Sequence, residues 1–143
     1  MAVFVSLVIG GPNAEIALAE APPASLAVTT KTGTHLFLVE IAESPEERGR
    51  GLMDRRSLPL NAGMFFIFPQ TEIIQMWMKN TYIPLDMIFA DENGRVVSVA
   101  TDTVPMSLEI ISSDLPAKTV LEVRAGTAAR LGIDVGDMVE LRQ

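Results

Sequence analysis

The residues with the greatest potential for chemistry lie close together between Gln75 and Asp86. This segment holds the only Trp of the chain, Trp77, the only Tyr, and an acidic residue, Asp86, that is surrounded by apolar neighbours. An unpaired buried carboxylate is costly, so Asp86 in a buried strand requires hydrogen-bond donors. The candidate donors are backbone amides and four side chains: Arg50, Arg55, Asn80 and Thr81.

Two interpretations of this segment stay open. In the first, Trp77 is an apolar wall and the polar residues after it form the floor of a cleft that binds a small polar ligand. An aromatic ring beside hydrogen-bonding groups suits a saccharide or a peptide fragment. In the second, Asn80, Thr81 and Asp86 form a structural turn network. The residues predicted to contact a ligand are Arg50, Arg55, Trp77, Asn80, Thr81, Asp86 and Glu122.

A hydrolase is an alternative function. Asp86 and Glu122 both lie among apolar residues, and such surroundings raise the pKa of a carboxyl group. Two carboxyl groups act together at a separation of roughly 5 to 9.5 Å. The chain has no Cys and no Walker, G-x-S-x-G or H-E-x-x-H motif, which excludes a thiol nucleophile and these standard sites. We therefore assign no catalytic residue.

Methionines suggest a second alternative, a cuprous site. Thioethers are ligands that select Cu(I), and the chain has eight Met. Met76 and Met78 with His35 would hold the ion, and Trp77 would lie over it. Methionine also fills apolar cores routinely, and no longer Met tract is present. We therefore expect no metal site and no cofactor.

The elements that must position these residues are mostly strands. Short apolar or alternating runs, separated by turn residues, predict strands, and a capping box at Ser44 and Glu47 predicts a helix over residues 45–50. A second helical turn is expected over 127–131. The pattern indicates a mainly β fold, α+β at the margin: a single compact β-barrel or β-sandwich with one or two short helices. The predicted strands cover residues 26–30, 35–41, 63–68, 73–78, 85–90, 95–100, 119–124 and 137–141.

Composition limits the partners. A length of 143 residues predicts one domain, and a hydrophobic fraction of 48% supplies a core. The net charge is −7, and no basic run exceeds Arg55-Arg56. Nucleic acid and anionic membranes are therefore disfavoured as partners. We expect a small polar ligand or a partner in the cell envelope.

The N-terminus is typical of an export signal. Residues 2–9 are almost wholly apolar, a Gly-Gly-Pro breaker follows, and Ala17-Leu18-Ala19 is a cleavage sequence, although no basic residue precedes the apolar run. The run is too short to span a bilayer, which takes roughly 20 residues. A buried strand over residues 3–9 is the alternative. We expect a cleaved signal over 1–19, a flexible leader over 20–25, a domain over 26–143 without a transmembrane segment, and a periplasmic or secreted protein.

Four ordered stretches carry a resemblance to a known family: Arg50 to Met53, Gly63 to Pro69, Trp77 to Phe89, and Val120-Leu121-Glu122 with Gly126 and Gly136-Asp137. On these residues, the chain from His35 to Leu141 resembles the bacterial and archaeal family called domain of unknown function 192. The resemblance implies a single compact β-rich domain and agrees with export. It brings no activity, substrate or cofactor. Members often have an aromatic residue at the positions of Met76 and Thr119, which implies a reduced stacking surface here.

Overall fold

The computed structural model describes residues 23–142, and the predicted signal over 1–19 lies outside the described residues. The mainly β fold is confirmed, with two short helices. The first strand begins at Ala24, inside the segment predicted as a leader. In chain order the elements are β1 (Ala24–Thr30), β2 (Gly33–Ala42), α1 (Pro45–Arg50), β3 (Ala62–Met76), β4 (Leu85–Ala90), β5 (Val96–Ala100), β6 (Ile111–Arg124), α2 (Thr127–Leu131) and β7 (Met138–Arg142).

The strands form one seven-stranded sheet in the order β5-β4-β6-β3-β2-β1-β7. Every pair is antiparallel except β2 and β3, which are parallel. The sheet curls into a half-barrel, and its two ends meet at an isolated bridge between Arg95 and Met138. The Val139 amide donates to the Gly94 carbonyl at 2.7 Å beside this bridge. The half-barrel therefore has one seam, the line along which the segment before β5 meets β7. These few backbone hydrogen bonds hold the seam together.

Apolar side chains are buried on both faces of the central strands. The inner face gathers residues from all seven strands and from α2. The outer face carries a second cluster, which the segment after α1 and the segment after β3 cover. The inner cluster is built from Leu26, Val28, Phe37, Val39, Phe65, Ile88, Ala90, Val96, Leu121, Val123, Ala128, Ile133 and Val139. The outer cluster contains Ala42, Leu52, Leu58, Met64, Phe66, Ile74, Met78, Ile83, Leu85, Met87, Phe89, Ala117 and Val120.

Helix α1 forms as its sequence predicts. The Ser44 hydroxyl accepts from the Glu47 amide at 3.1 Å, and the Glu47 carboxylate accepts from the Ser44 amide at 2.9 Å. Pro45 occupies the first turn, where its missing N–H costs nothing. Within residues 23–142, no helix is long and apolar enough to cross a membrane.

Strands β3 and β6 are longer than predicted. Pro69 was expected to end a strand at residue 68, but β3 continues to Met76, so the two predicted strands are one. The pairing with β6 shifts register between Ile67 and Glu72, and this irregularity accommodates a proline, which has no N–H for the ladder. β6 likewise begins at Ile111, eight residues before the predicted start at 119. Proline and polar residues, which are typical of turns, made β3 and β6 appear shorter in the sequence than they are.

A substitution at Gly94 tests how much the close packing at the seam of the half-barrel contributes to stability. Its φ is +84°, and an added Cβ would lie 2.3 Å from the Val139 carbonyl oxygen. Gly126 is the matched control, because its φ is +92° and an added Cβ meets nothing within 4 Å. We expect Gly126→Ala to lower the free energy of unfolding by about 1–2 kcal/mol through backbone strain alone. Gly94→Ala should cost about 1–3 kcal/mol more through overpacking.

Denaturant unfolding monitored by circular dichroism measures both changes. Equal losses for the two variants would mean that the close approach of Gly94 to Val139 does not stabilise the seam.

Candidate functional site

A cavity of about 230 Å³ lies on the outer face of the sheet, between α1 and the end of β3. Four parts of the chain line it: α1 with the turn that follows, the two ends of β3, the segment after β3, and one residue of β6. The lining residues are Arg48, Gly49, Arg50, Gly51, Leu52, Met53, Phe66, Phe68, Gln75, Met76, Trp77, Lys79, Thr81 and Glu122.

Among residues 23–142, Glu122 is the only acidic residue that lines this cavity. In the sheet it lies opposite Met64 of β3 and Met87 of β4, so thioether side chains flank it on both sides. Only 4% of Glu122 is exposed. Within residues 23–142, its carboxyl group has no hydrogen-bond or ion-pair partner. Burial raises the pKa of Glu122 to about 8, so at pH 7 the group is protonated and can donate a hydrogen bond.

Three cationic side chains line the same cavity as this neutral carboxyl group. The Arg48 guanidinium lies over the Phe68 ring, 5.1 Å from its centroid, and donates to the Glu43 carbonyl oxygen. The Lys79 ammonium lies over the Trp77 ring at 5.1 Å. The Arg50 guanidinium is exposed and has no hydrogen-bond, ion-pair or ring partner within the described chain. The cavity is therefore positively charged, with one uncommitted cation.

Trp77 presents its ring to solvent, since 43% of the residue is exposed. Burial alternates along this segment, with Gln75 and Trp77 exposed, Met76 half-buried against the outer cluster and Met78 buried within it. This agrees with the predicted alternation, in which Met76 and Met78 share one face and Gln75 and Trp77 the other. Gln75, Met76 and Trp77 all line the cavity.

Of the seven residues predicted to contact a ligand, four line this one cavity. Arg50, Trp77, Thr81 and Glu122 come from α1, the segment after β3 and β6. Thr81 is 6% exposed, and its hydroxyl donates to the Lys79 carbonyl at 3.0 Å. Its oxygen lone pairs remain available as acceptors.

Arg55 and Asn80 lie outside the lining. Both guanidinium nitrogens of Arg55 reach the Glu40 carboxylate, in an ion pair that is about one-third exposed. Asn80 has a φ of +53°, which Asn tolerates better than most residues, and its carbonyl accepts from the Asp54 amide at 2.9 Å. These two residues stabilise the segments that cover the outer cluster.

Asp86 is fully buried and also lies outside the cavity. One carboxylate oxygen accepts from the Asp102 amide at 3.0 Å, and the other accepts from the Ala128 amide at 2.9 Å. The donors are thus backbone amides rather than Asn80, Thr81 or an arginine. Asp86 ties the loop after β5 and the start of α2 to β4, so its role is structural. The predicted turn network of Asp86 with Asn80 and Thr81 is not formed among the described residues.

The proposed pairing of Asp86 with Glu122 is not supported by the geometry. Met87 lies opposite Glu122, and Asp86 lies opposite Val123, in the pairing of β4 with β6. Successive side chains of a strand point to opposite faces, so the two carboxyl groups face opposite sides of the sheet. A hydrolase that uses both groups in one cleft has no basis in this arrangement.

The three side chains proposed for a Cu(I) site are not brought together either. His35 lies at the β1–β2 hairpin, where its ring accepts from or donates to the Thr32 hydroxyl at 2.8 Å. Met78 is fully buried, and its sulfur accepts from the Thr103 hydroxyl at 3.2 Å. Met76 lines the Trp77 cavity, whereas His35 lines a separate one beside Leu60. Met78 lies within the outer cluster, and Met76 packs against it.

Sequence reasoning missed Arg48, Lys79 and the two phenylalanines of the cavity. Phe66 and Phe68 lie in the apolar strand predicted over 63–68. The one available signal was Lys79, two residues after the exposed Trp77. Arg48 joins the cavity only because α1 packs beside Phe68.

A family profile decides the relationship suggested by the sequence. The family described as DUF192, an uncharacterized ACR, matches residues 27–141. The chain belongs to the DUF192 family. A crystal structure of a Sinorhizobium meliloti protein, described as a candidate transcription regulator, is 42% identical, with a TM-score of 0.80 over 85% of this chain and 97% of that one.

A second similar structure comes from Novosphingobium aromaticivorans and is described as a protein of unknown function. It is 37% identical, with a TM-score of 0.80 over 85% of this chain and 94% of its own. Among curated proteins, none matches the chain. The half-barrel of this DUF192 chain is therefore shared with solved structures, but no activity comes with it.

Glu122 should make the stability of the protein depend on pH. The unfolded chain releases the Glu122 proton near pH 4.5, whereas the folded chain keeps it up to about pH 8. The native state therefore binds more protons in this window, and stability falls as pH rises through it. The expected loss, relative to Glu122→Gln, is a few kcal/mol and at most about 5 kcal/mol.

Unfolding free energies of the wild type and Glu122→Gln, measured from pH 4 to pH 9, test this expectation. The difference between the two proteins should change in favour of the variant from pH 4.5 to pH 8 and then level off. A constant difference would show that Glu122 ionises normally in the folded protein.

Asp86→Asn should destabilise the fold, because an amide has one acceptor oxygen where two backbone amides need separate oxygens. We expect a loss of about 1–3 kcal/mol in the free energy of unfolding. Asp91→Asn is the matched control. A single oxygen of Asp91 accepts from both the Asn93 and Arg95 amides, so an amide oxygen can replace it.

The control variant should stay within about 0.5 kcal/mol of the wild type. Chemical denaturation measures both, and equal effects would mean that the two Asp86 bonds contribute nothing specific.

Proposed function

We propose that this DUF192 protein is a binding module that holds a small polar ligand in the cavity between α1 and the end of β3. The carrying observation is Glu122, a buried residue whose carboxyl group has no partner in the described chain and lines the cavity. Within residues 23–142 no fully buried side-chain nitrogen or oxygen atom lacks a partner, so the Glu122 carboxyl group is open to the cavity, where a ligand can bond it. Arg50, exposed and also without a partner, lines the same cavity. A ligand with hydrogen-bonding groups would supply a partner for both side chains.

The proposed ligand is a saccharide or a peptide fragment. Trp77 offers an exposed ring face for stacking, and Thr81 and Gln75 supply hydrogen-bonding atoms at the same cavity. A cavity of about 230 Å³ suits a molecule of one or two small units. This proposal replaces Asn80 and Asp86 of the predicted cleft with Glu122 and Arg50 as the central polar groups.

We further propose that the protein acts in the periplasm or outside the cell. The apolar run over residues 2–9 and the Ala-x-Ala sequence at 17–19 support export. The Sinorhizobium meliloti relative is described as a candidate transcription regulator. A net charge of −7 works against contact with a polyanion, so a small ligand is the better occupant of the cationic cavity.

Fluorescence of Trp77 tests the proposal directly, because Trp77 is the only Trp. Neutral and acidic monosaccharides and capped amino acids are titrated into the protein, and hits are repeated by calorimetry. At least one should bind saturably, and Arg50→Gln should weaken it about tenfold or more through loss of a charge-assisted bond. Arg130→Gln is the matched control, since Arg130 also lies exposed in the last turn of a short helix.

The control variant should bind as the wild type does. If no member of the panel binds the folded protein at millimolar concentration, or if both arginine variants bind equally well, the proposed cavity is not the binding site.

A further inference from the structure

We propose that the ligand of this cavity is a small organic carboxylate, and that it binds only while Glu122 carries its proton. This inference rests on the proposed function and specifies the chemistry of its ligand. Binding would then depend on the proton of a residue in the floor of the site.

The charges of the lining favour an anion. Arg48, Arg50 and Lys79 contribute three positive charges, and Glu122 is the only acid in the part of the lining that the structure describes. The protein as a whole carries −7, so this cationic cavity is opposite in sign to the molecule around it. Arg48 and Lys79 are engaged by aromatic rings. Arg50 is left to pair with a negative group of a ligand, and a cationic ligand would be repelled.

An anion also determines the form of Glu122 that it can bind. An ionised carboxylate only accepts hydrogen bonds and would repel an anionic ligand, whereas a protonated carboxyl group donates one bond. Met64 and Met87 flank Glu122 and offer no donor to stabilise its charge. Burial raises its pKa to about 8. The proton needed to receive the anion is therefore already present at neutral pH.

Other charged groups near Glu122 leave it as the titrating acid of the site. From β2, Glu40 lies on the same row of the sheet, but it is paired with Arg55. On β6, Arg124 shares the face of Glu122 two residues further on, is exposed and does not line the cavity. β3 and β4 present methionines, α1 presents two arginines, and the segment after β3 presents Lys79. No histidine lines the cavity.

A carboxylate matches the uncommitted groups better than a phosphate does. The cavity offers one free guanidinium, on Arg50, and one free carboxyl O–H, on Glu122, and a carboxylate has two oxygens to receive them. Trp77 and Phe68 add apolar surface, which requires an organic body on the ligand. A uronic acid or an N-acylated amino acid fits this description and falls within the saccharide and peptide classes.

Calorimetric titrations with matched pairs test the inference. The pairs are galacturonate with galactose, and N-acetylalanine with N-acetylalaninamide, and galactose 6-phosphate is the phosphate probe. In the wild type at pH 6, the acid of at least one pair should bind about tenfold or more tightly than its neutral partner. Its affinity should fall about tenfold between pH 7 and pH 9, as Glu122 loses its proton.

Glu122→Gln is the decisive variant, because its amide donates a hydrogen bond at every pH. It should bind the acid at pH 9 about as well as at pH 6. A second measurement uses only the wild type: titrations at pH 9 in buffers of different ionisation enthalpy should show uptake of nearly one proton per ligand. This measurement decides the proton coupling even if the variant fails to fold.

Each result separates the inference from the function on which it rests. If neutral partners bind as tightly as their acids, the carboxylate is wrong while the binding module stands. If galactose 6-phosphate binds more tightly than either acid, the ligand is a phosphate and the carboxylate is again wrong. If the acid binds without proton uptake at pH 9, or Glu122→Gln keeps the full pH dependence, Glu122 does not receive the ligand. If no probe binds at any pH, both proposals fall.

Discussion

The structure depends on the close approach of β3 to β6 at Gly63. A Cβ at this position would lie 2.5 Å from the Glu122 carbonyl oxygen, so only glycine permits the two backbones to pair there. This pairing fixes the register in which Met64 lies opposite Glu122 and Phe65 opposite Leu121. It therefore decides which side chains enter the half-barrel and which face the covering segments. The position of the one acid in the cavity follows from that register.

The parallel pairing of β2 with β3 has a further consequence. Parallel neighbours cannot be joined by a tight hairpin, so the chain must cross over one face of the sheet. Here the crossover carries α1 and the segment with Leu52 and Leu58, and it buries the outer face of the central strands. The same crossover brings the arginines of α1 to the end of β3. The outer cluster and the cationic cavity therefore both result from the crossover between β2 and β3.

Two buried acids on neighbouring strands show how local partners decide chemical character. Asp86 faces the interior and accepts hydrogen bonds from two backbone amides, which replace water around its carboxylate. Glu122 faces the outer cavity between thioethers and has no donor in the described chain, so burial keeps its proton in place. Asp86 stabilises the fold. Glu122 lowers stability as the pH rises from 4.5 to about 8, and such a cost is typical of residues that serve a site.

The sequence by itself determined the local elements and the composition of the site. The capping box at Ser44 specifies α1, short apolar or alternating runs specify most strands, and four of the seven predicted contact residues line one cavity. These features depend on neighbours within a few residues, which the sequence displays. Pro69 and Pro116 concealed the length of β3 and β6, because their tolerance depends on a register shift between strands. Only the tertiary structure showed that Asp86 and Glu122 face opposite sides of the sheet, since the pairing of neighbouring strands sets the face of each carboxyl group. It alone placed Arg48, Arg50 and Glu122 in the lining of one cavity, because residues more than seventy positions apart come together through a crossover that no local pattern encodes.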